Sequence, residues 1–446
     1  MKHIWLYLSK GDVQTEKQQC LEEGRDLSTV RDLFSEVLSL DLEDRTNQPA
    51  AEALLDATIQ LPMRVDYSYY EPSDLEGIRA ARPAGVKLPS FTLNDSELED
   101  KVYGAWTGRC VGCLLGKPVE GWQTEKMWGY LKDSGRYPLS DFFIYGVDAD
   151  IRKKYELNEG ACFGDKVDYM PEDDDTNYTT TGLAIMKRHG RDFTPEDVAN
   201  FWMNEIPLFH VCTAERIAYR NFALLIAPPE SATFRNPYRE WIGAQIRADF
   251  WGYAAPGNPQ LAAEFAWRDA CISHVKNGIY GEMWAAAMIA AAFVTSDIPT
   301  IIRAGLAQVP ENSRLAERVN QVLDWYSSGL DYDSAVTKLH TIWNEKTGHG
   351  WCHTISNAMI VAIALLWGEM DFAKSICRSV QPGFDTDCNG ATVGSVMGIV
   401  SGRKAMPSYW ADHIKDTLYT GVTGYHQVKL NDITRDSLEI IRKVNG

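Results

Sequence analysis

The feature that most constrains the fold is a row of glycines spaced by four residues. Gly104, Gly108, Gly112 and Gly116 recur in a stretch with helical character that Pro118 must end. Glycines at this spacing lie along one slowly rotating helix face, where another helix or a ligand can approach the backbone closely. For the first two glycines we favour tight helix packing. Beyond Pro118, Glu120 is expected to project from a turn.

Most of the chain is predicted to be helical. Apolar residues recur with helical spacing and no series of alternating strands is present, so the fold class is all-α. The predicted helices after residue 190 are 195–203, 214–225, 259–273, 284–294, 313–327, 334–344, 354–366, 371–380 and 434–444. The longest apolar runs, 283–294 and 358–367, are shorter than the ~18 residues of a membrane span and are interpreted as buried helices.

Two parts are expected along the chain. Residues 1–95 form an N-terminal helical extension, with helical spacing over 27–40 and 51–61 and a linker marked by Pro83 and Pro89. Residues 96–446 form the main domain, whose first helix begins near Ser96 or with a capping box of Asn94 and Glu97. Its long aromatic connection, 123–172, is interpreted as an ordered rim over a site.

Composition excludes several classes of protein. Lys and Arg number 44 against 61 Asp and Glu, a formal net charge of −17, so a general nucleic-acid binder is not expected. Nine cysteines, an odd number, favour reduced thiols in the cytoplasm, and the Cys110–Cys113 pair is interpreted as small core residues. The N-terminus lacks the pattern of a signal peptide.

Two acidic clusters carry the candidate chemistry. Asp173, Asp174 and Asp175 precede Thr176, and alone they are equally well explained as a helix N-terminus. Asp385 and Asp387 lie in a second segment, between Gly383 and Gly390, that opens a helix of small residues. Two such carboxylate sets suggest hard oxygen ligation of one or two Mg²⁺ ions, with Mn²⁺ or Ca²⁺ as alternatives.

Four motifs in order make the sequence similar to the ADP-ribosylglycohydrolase family, of the dinitrogenase-reductase-activating type. They are Gly108-Arg109 through Gly116-Lys117-Pro118-Val119-Glu120-Gly121, then Asp174-Asp175-Thr176, then Ser273-His274, then Gly383-Phe384-Asp385-Thr386-Asp387. The likeness covers roughly residues 97–430, and the chain resembles a divergent member.

The resemblance implies an orthogonal helical bundle with a two-magnesium centre. Its metal carboxylates would be Asp174, Asp175, Asp385 and Asp387. Asp173 occupies a ligand position where the family usually has Thr or Ser, and Cys388 occupies one where it usually has Thr. Asp173 is a competent hard ligand, whereas the Cys388 thiol is soft and poorly suited to Mg²⁺.

Candidates for catalysis and substrate binding follow partly from the resemblance and partly, as for Glu282, from the residues themselves. The catalytic candidates are Glu120, Asp174, Asp175 and Glu282; Glu282 either caps the helix at Met283 or reaches the site as an acid. The substrate-binding candidates are Trp122, Asn177, Arg247, His274, Gly383 and Phe384. His274 is more often structural, and Arg239 and Arg247 could bind phosphate or form surface salt bridges.

The expected function is metal-dependent hydrolysis of a glycosidic bond. The first hypothesis is removal of ADP-ribose from a protein or small molecule. Because the Gly-Asn-Gly segment of ADP-ribose-processing members is absent near Asn236, the second is hydrolysis of another sugar, such as a riboside, nucleoside or other O- or N-glycoside. The third is a ligand-binding member without turnover, which four retained aspartates argue against.

Overall fold

The computed structural model describes residues 7–445, and within them nearly all regular structure is helical. The helices of the first half are α1 (Lys10–Glu22), α2 (Arg31–Ser39), α3 (Gln48–Thr58), α4 (Leu75–Ala80), α5 (Asp95–Gly116), α6 (Thr124–Asp133), α7 (Ala149–Lys154), α8 (Asp174–His189), α9 (Pro195–Glu205) and α10 (Thr213–Ala223). The stretch before residue 7, which carries the signal-peptide argument, lies outside the described residues.

The second half continues as helices α11 to α22 with one small β-ribbon. The helices are α11 (Asp249–Ala254), α12 (Pro259–Ala270), α13 (Asn277–Ala292), α14 (Ile298–Leu306), α15 (Arg314–Ser327), α16 (Tyr332–Ile342), α17 (Gly348–Cys352), α18 (Thr354–Trp367), α19 (Phe372–Val380), α20 (Thr386–Ser401), α21 (Ser408–Ala411) and α22 (Leu430–Asn445). Strands β1 (Thr417–Tyr419) and β2 (Gln427–Lys429) pair antiparallel, with Leu418 opposite Val428. The all-α prediction is confirmed.

The glycine row brings two helices into backbone contact. A Cβ on Gly108 would lie 2.1 Å from the carbonyl oxygen of Gly394, and one on Gly112 would lie 2.0 Å from that of Gly390. The same contact places Gly104 against Gly398 and Gly116 against Thr386, so α5 and α20 run antiparallel. Helix packing therefore accounts for all four glycines, and it brings the end of α5 to the start of α20.

Two hydrophobic cores are present. The small core joins α1, α2 and α3 through residues such as Val13, Phe34 and Leu54, whereas the large core begins at Ile78 and includes the main helices. At the centre of the large core α13 and α18 are buried along their whole length, as expected for the apolar runs. In the described residues, no helix combines the length and apolar character required to cross a bilayer.

Residues before 96 contact the later helices both through apolar side chains such as Ile78, which belongs to the large core, and through ion pairs. Arg239 is buried between Glu16 and Glu23 of the first helix region, at 2.6 and 2.8 Å. Arg235 pairs with Asp56 of α3 at 2.7 Å. Because the buried face of α1 includes Glu16 and Gln19, the helix has no apolar period and sequence analysis did not predict it.

Candidate metal centre

The two acidic segments meet at the ends of three helices. Asp173 is the N-cap of α8, Asp385 is the N-cap of α20, and α5 ends beside them at Lys117. Thr386 donates a hydrogen bond to the carbonyl of Gly116 at 2.9 Å, which joins the start of α20 to the end of α5. Helix N-termini favour negative charge, so carboxylates can be concentrated here.

Four aspartates form what we name the acidic cluster: Asp173, Asp175, Asp385 and Asp387. All four are at least 95% buried. Ligand atoms of Asp173, Asp175, Asp387 and Cys113 lie within 4.8 Å of one another, and a second group within the same limit comprises Asp385, Asp387 and Cys388. Asp387 belongs to both groups and is therefore the shared residue of the site.

Arg109 fixes the direction of Asp175. Its Nη2 donates to the Oδ1 of Asp175 at 2.9 Å and to the carbonyl of Ile246 at 2.6 Å, and its Nη1 pairs with Asp249 at 2.7 Å. The other oxygen of Asp175, Oδ2, is buried and accepts no hydrogen bond. The guanidinium therefore holds one oxygen and leaves the second free to bind a ligand.

Asp385 and Asp387 are positioned by a left-handed turn and by Asn357. Gly383 and Phe384 both have positive φ, 79° and 60°, and a Cβ on Gly383 would meet Glu345 at 2.6 Å. Asn357 accepts from the backbone N–H of Asp385 at 3.2 Å. The Asp385 carboxylate does not cap its own helix, and the Oδ1 of Asp387 is buried without a partner.

The electrostatics of the site reflect crowded negative charge. Burial, and then the charge of Asp173, raise the pKa of Asp387 to about 6. At the exposed mouth the charge of Asp387, followed by burial, raises the pKa of Glu120 to about 9. Burial raises the pKa of Asp175 and of Asp385 well above the ordinary range. Cations would relieve this repulsion.

The donor set fits a divalent cation. Two buried carboxylate oxygens, Oδ2 of Asp175 and Oδ1 of Asp387, have no hydrogen-bond partner and lie in one group. Buried unpaired carboxylates are costly, and hard oxygen donors are those that Mg²⁺, Mn²⁺ and Ca²⁺ prefer. The residues able to hold an ion are the acidic cluster, whereas the Cys113 and Cys388 thiols beside it are soft and suit such ions poorly.

The comparison with protein families decides the class. The profile of the ADP-ribosylglycohydrolase family matches residues 94–441, more than three quarters of the chain. The chain belongs to the ADP-ribosylglycohydrolase family. No curated protein matches the sequence. A solved structure described as an ADP-ribosylglycohydrolase-related protein complex is 17% identical, with a TM-score of 0.47, and covers 78% of this chain and 99% of its own.

Three candidates from the sequence lie outside the two ligand groups, in the core. Arg247 is surrounded by Glu215, Asp269 and Glu282, which with it form what we name the Arg247 cluster. His274 is fully buried with its Nδ1 against the hydroxyl of Ser273 at 2.8 Å, and burial holds its pKa well below the ordinary value. Neither Glu282 nor His274 joins the metal-ligand groups found among residues 7–445.

Neither arginine of the 236–247 segment is at the surface. All five N–H donors of Arg247 are bonded, to the Oδ2 and carbonyl of Asp269, to Glu215, to the carbonyl of Gly243 and to Ser273. Arg239 is bound to Glu16 and Glu23. Sequence analysis offered phosphate binding or surface salt bridges for these two arginines. The structure instead has both guanidinium groups in buried ion pairs, where neighbouring carboxylates neutralise their charge.

The remaining candidates lie close in sequence to the end of α5 or to one of the two acidic segments, in different environments. Asp174 is half-buried next to it, and burial, then Asp173, raise its pKa well above the ordinary range. Trp122 is half-buried with the ammonium of Lys126 4.1 Å from its ring centroid. Asn177 accepts from the N–H of Gly421 at 2.8 Å and donates to Glu172 at 3.2 Å. The Phe384 side chain is fully buried.

Sequence analysis missed several residues of the centre. Cys113 was assigned to the core, yet its sulfur lies with Asp173, Asp175 and Asp387. Its position one helical turn after Arg109 and one before Lys117 places all three on one face of α5, which was a usable signal. Asn357 carried no such signal, because it lies within an apolar helix far away in sequence.

Proposed function

We propose that this family member is a divalent-metal-dependent hydrolase of a glycosidic bond. The observation that carries the proposal is the pair of buried, unpartnered oxygens on Asp175 and Asp387, in a cluster of four aspartates. Family membership supports glycohydrolase chemistry. An unpaired buried carboxylate destabilises a fold, so its retention supports a role in binding a cation.

The residues of the site suit the reaction's charge and proton requirements. A divalent ion bound there would supply charge that orients sugar hydroxyls and acidifies water. Carboxylates around the reacting carbon stabilise the oxocarbenium-like charge that develops as the glycosidic bond breaks. Asp174, half-buried and beside the cluster, can accept a proton from water, and Glu120 at the mouth can exchange a proton with the leaving group.

The family name points to ADP-ribosylated substrates, and one observation favours a second candidate. Arg239 and Arg247 are the arginines of the 236–247 segment that could bind phosphate, and protein acceptors bind both. This segment has no guanidinium left for a pyrophosphate. A sugar without the pyrophosphate, such as a riboside, nucleoside or other glycoside, is therefore the alternative substrate class.

A substrate panel separates the candidates. ADP-ribosylated peptides, ADP-ribose derivatives, nucleosides and aryl glycosides would each be incubated with Mg²⁺, with Mn²⁺ and with chelator, and the released products measured. Release from ADP-ribosylated substrates alone would exclude the second candidate. Turnover of none, together with no metal binding by calorimetry, would contradict the hydrolase proposal.

Asp387→Ala should abolish metal-dependent turnover, because Asp387 belongs to both ligand groups. Asp192→Ala is the matched control, since Asp192 is exposed and belongs to neither group. Full activity in the Asp387 variant would contradict the assignment of the centre.

A further inference from the structure

A lysine lies inside the acidic cluster. The ammonium of Lys117 is 2.5 Å from the Oδ2 of Asp173, and the Lys117 side chain is 22% exposed. The other oxygen of Asp173, Oδ1, accepts the N–H of Asp175 at 2.9 Å as the helix cap. Both oxygens of Asp173 are therefore already bound by protein donors, in contrast to the free oxygens of Asp175 and Asp387.

The lysine also conflicts with a second ion on Asp173. A magnesium ion bound to the Oδ2 of Asp173 at an ordinary distance would lie within about 5 Å of the ammonium. An ammonium and a dication at that separation repel each other strongly inside a protein.

Among residues 7–445, no lysine or arginine forms an ion pair with Asp385. Asp385 and Asp387 lie in the second ligand group with Cys388, and the Cys352 thiol lies 3.8 Å from the Asp385 carboxylate. A thiol at this distance is a weak donor that an incoming cation can replace. The two candidate positions therefore differ in charge: the group of Asp173 and Asp175 already contains the Lys117 ammonium, whereas the Asp385 carboxylate has no ion-pair partner among residues 7–445.

We propose that the centre binds a single divalent ion at the Asp385–Asp387 position, and that Lys117 supplies the positive charge of a second ion beside Asp173. This inference rests on the proposed function and narrows it. It also assigns Asp173 to charge pairing and helix capping instead of metal ligation.

Metal stoichiometry tests the proposal without an activity assay. The full chain would be stripped with chelator and titrated with Mn²⁺, with bound ion counted by calorimetry and by paramagnetic resonance. Wild type should bind one ion per chain. Lys117→Met, which keeps the apolar stem and removes the charge, should bind a second ion at least tenfold more tightly than wild type does.

Two further variants test whether the effect of Lys117→Met comes from the loss of positive charge at this position. Lys117→Arg keeps the cation and should bind one ion. Lys126→Met removes a lysine that lies over Trp122, near the site but outside the ligand groups, and it should also bind one. Circular dichroism would establish that each variant is folded.

The outcomes separate the inference from the function it rests on. Two ions in wild type would overturn the role of Lys117 and leave the metal-dependent hydrolase intact. No ion in wild type would contradict the metal dependence itself. One ion in both wild type and Lys117→Met would show that the lysine does not occupy a cation position. The wild-type count alone decides the first two cases, even if a variant fails to fold.

Discussion

The acidic cluster and the Arg247 cluster bury similar numbers of carboxylates and differ in how these are arranged around positive charge. In the Arg247 cluster one guanidinium binds Asp269 at 2.6 Å and Glu215 at 2.7 Å and lies 3.5 Å from Glu282, whose two oxygens have no hydrogen-bond partner. In the acidic cluster Arg109 and Lys117 satisfy part of Asp175 and Asp173, and oxygens of Asp175 and Asp387 remain unpartnered.

The difference teaches that buried charge alone does not indicate a functional site. A guanidinium whose five donors are all bonded to protein leaves nothing for a ligand, so the Arg247 cluster is part of the core. Carboxylate oxygens that face one another without partners raise the free energy of the metal-free fold. The acidic cluster therefore gains most from binding a cation, and four substitutions test this contrast.

The largest effect on stability is expected from Arg247→Met. The substitution leaves the buried carboxylates of Glu215 and Asp269 without their cation, which should cost about 3–5 kcal/mol of unfolding free energy. Urea denaturation measures this, and Mn²⁺ titration of the folded protein should be unchanged. Arg435→Met is the control, because the Arg435–Asp432 pair is exposed and worth about 0–1 kcal/mol. A loss below that of the control would mean that the Arg247 cluster is not a structural ion pair.

Asp387→Asn should increase the unfolding free energy of the metal-free protein, in contrast to Arg247→Met. Removing a charge from the acidic cluster should stabilise the chelated protein by on the order of 1–3 kcal/mol, because the pKa of Asp387 is raised to about 6. At the same time Mn²⁺ affinity should fall by about 100-fold or more, since even residues behind metal ligands contribute 10–100-fold. Denaturation with chelator and titration with Mn²⁺ measure the two effects. Lower stability in the metal-free variant would contradict the repulsion.

These two clusters also explain what the sequence could and could not predict. The acidic motifs sit in short segments bounded by glycine and helix starts, so their pattern identified Asp175, Asp385 and Asp387 as candidates to bind one ligand. Nothing in the local pattern of Glu282 or Arg247 distinguishes a residue facing the metals from one facing the core. That choice depends on which helix packs behind α13, and only the tertiary structure supplies it.

The fold, too, could be predicted from the sequence only where a local pattern determines it. The buried helices and the glycine contact of α5 were predictable, because apolar periodicity and glycine spacing are local properties. Helix α1 was not predicted, since its buried face is polar and Arg239 of the main domain satisfies it. The strands at Thr417–Tyr419 and Gln427–Lys429 are too short to produce an alternating pattern.

A smaller effect is expected from Gly112→Ala, which tests how the helix contact positions the acidic cluster. The added Cβ would lie 2.0 Å from the carbonyl oxygen of Gly390, so α5 and α20 must separate. Overpacking of this kind costs about 1–3 kcal/mol. Because α20 carries Asp387, Mn²⁺ affinity should fall several-fold as well. Gly85→Ala, where nothing lies within 4 Å, should change neither quantity appreciably. Unchanged Mn²⁺ affinity in the Gly112 variant would show that the contact between α5 and α20 does not position the metal centre.

The smallest effect is expected from Glu282→Gln. Sequence analysis proposed Glu282 as a catalytic acid, and this variant tests whether it acts in the active site or only in the Arg247 cluster. Glu282 is fully buried, and burial, then Asp269, raise its pKa well above the ordinary range, which favours the protonated carboxyl. An amide of the same shape should change the unfolding free energy by less than about 1 kcal/mol and kcat by less than about twofold. Glu282→Ala, in contrast, should lose about 2–4 kcal/mol through the cavity it leaves. A drop in kcat of more than tenfold in Glu282→Gln, with stability and Mn²⁺ affinity unchanged, would restore Glu282 as a proton donor and place the Arg247 cluster within the active site.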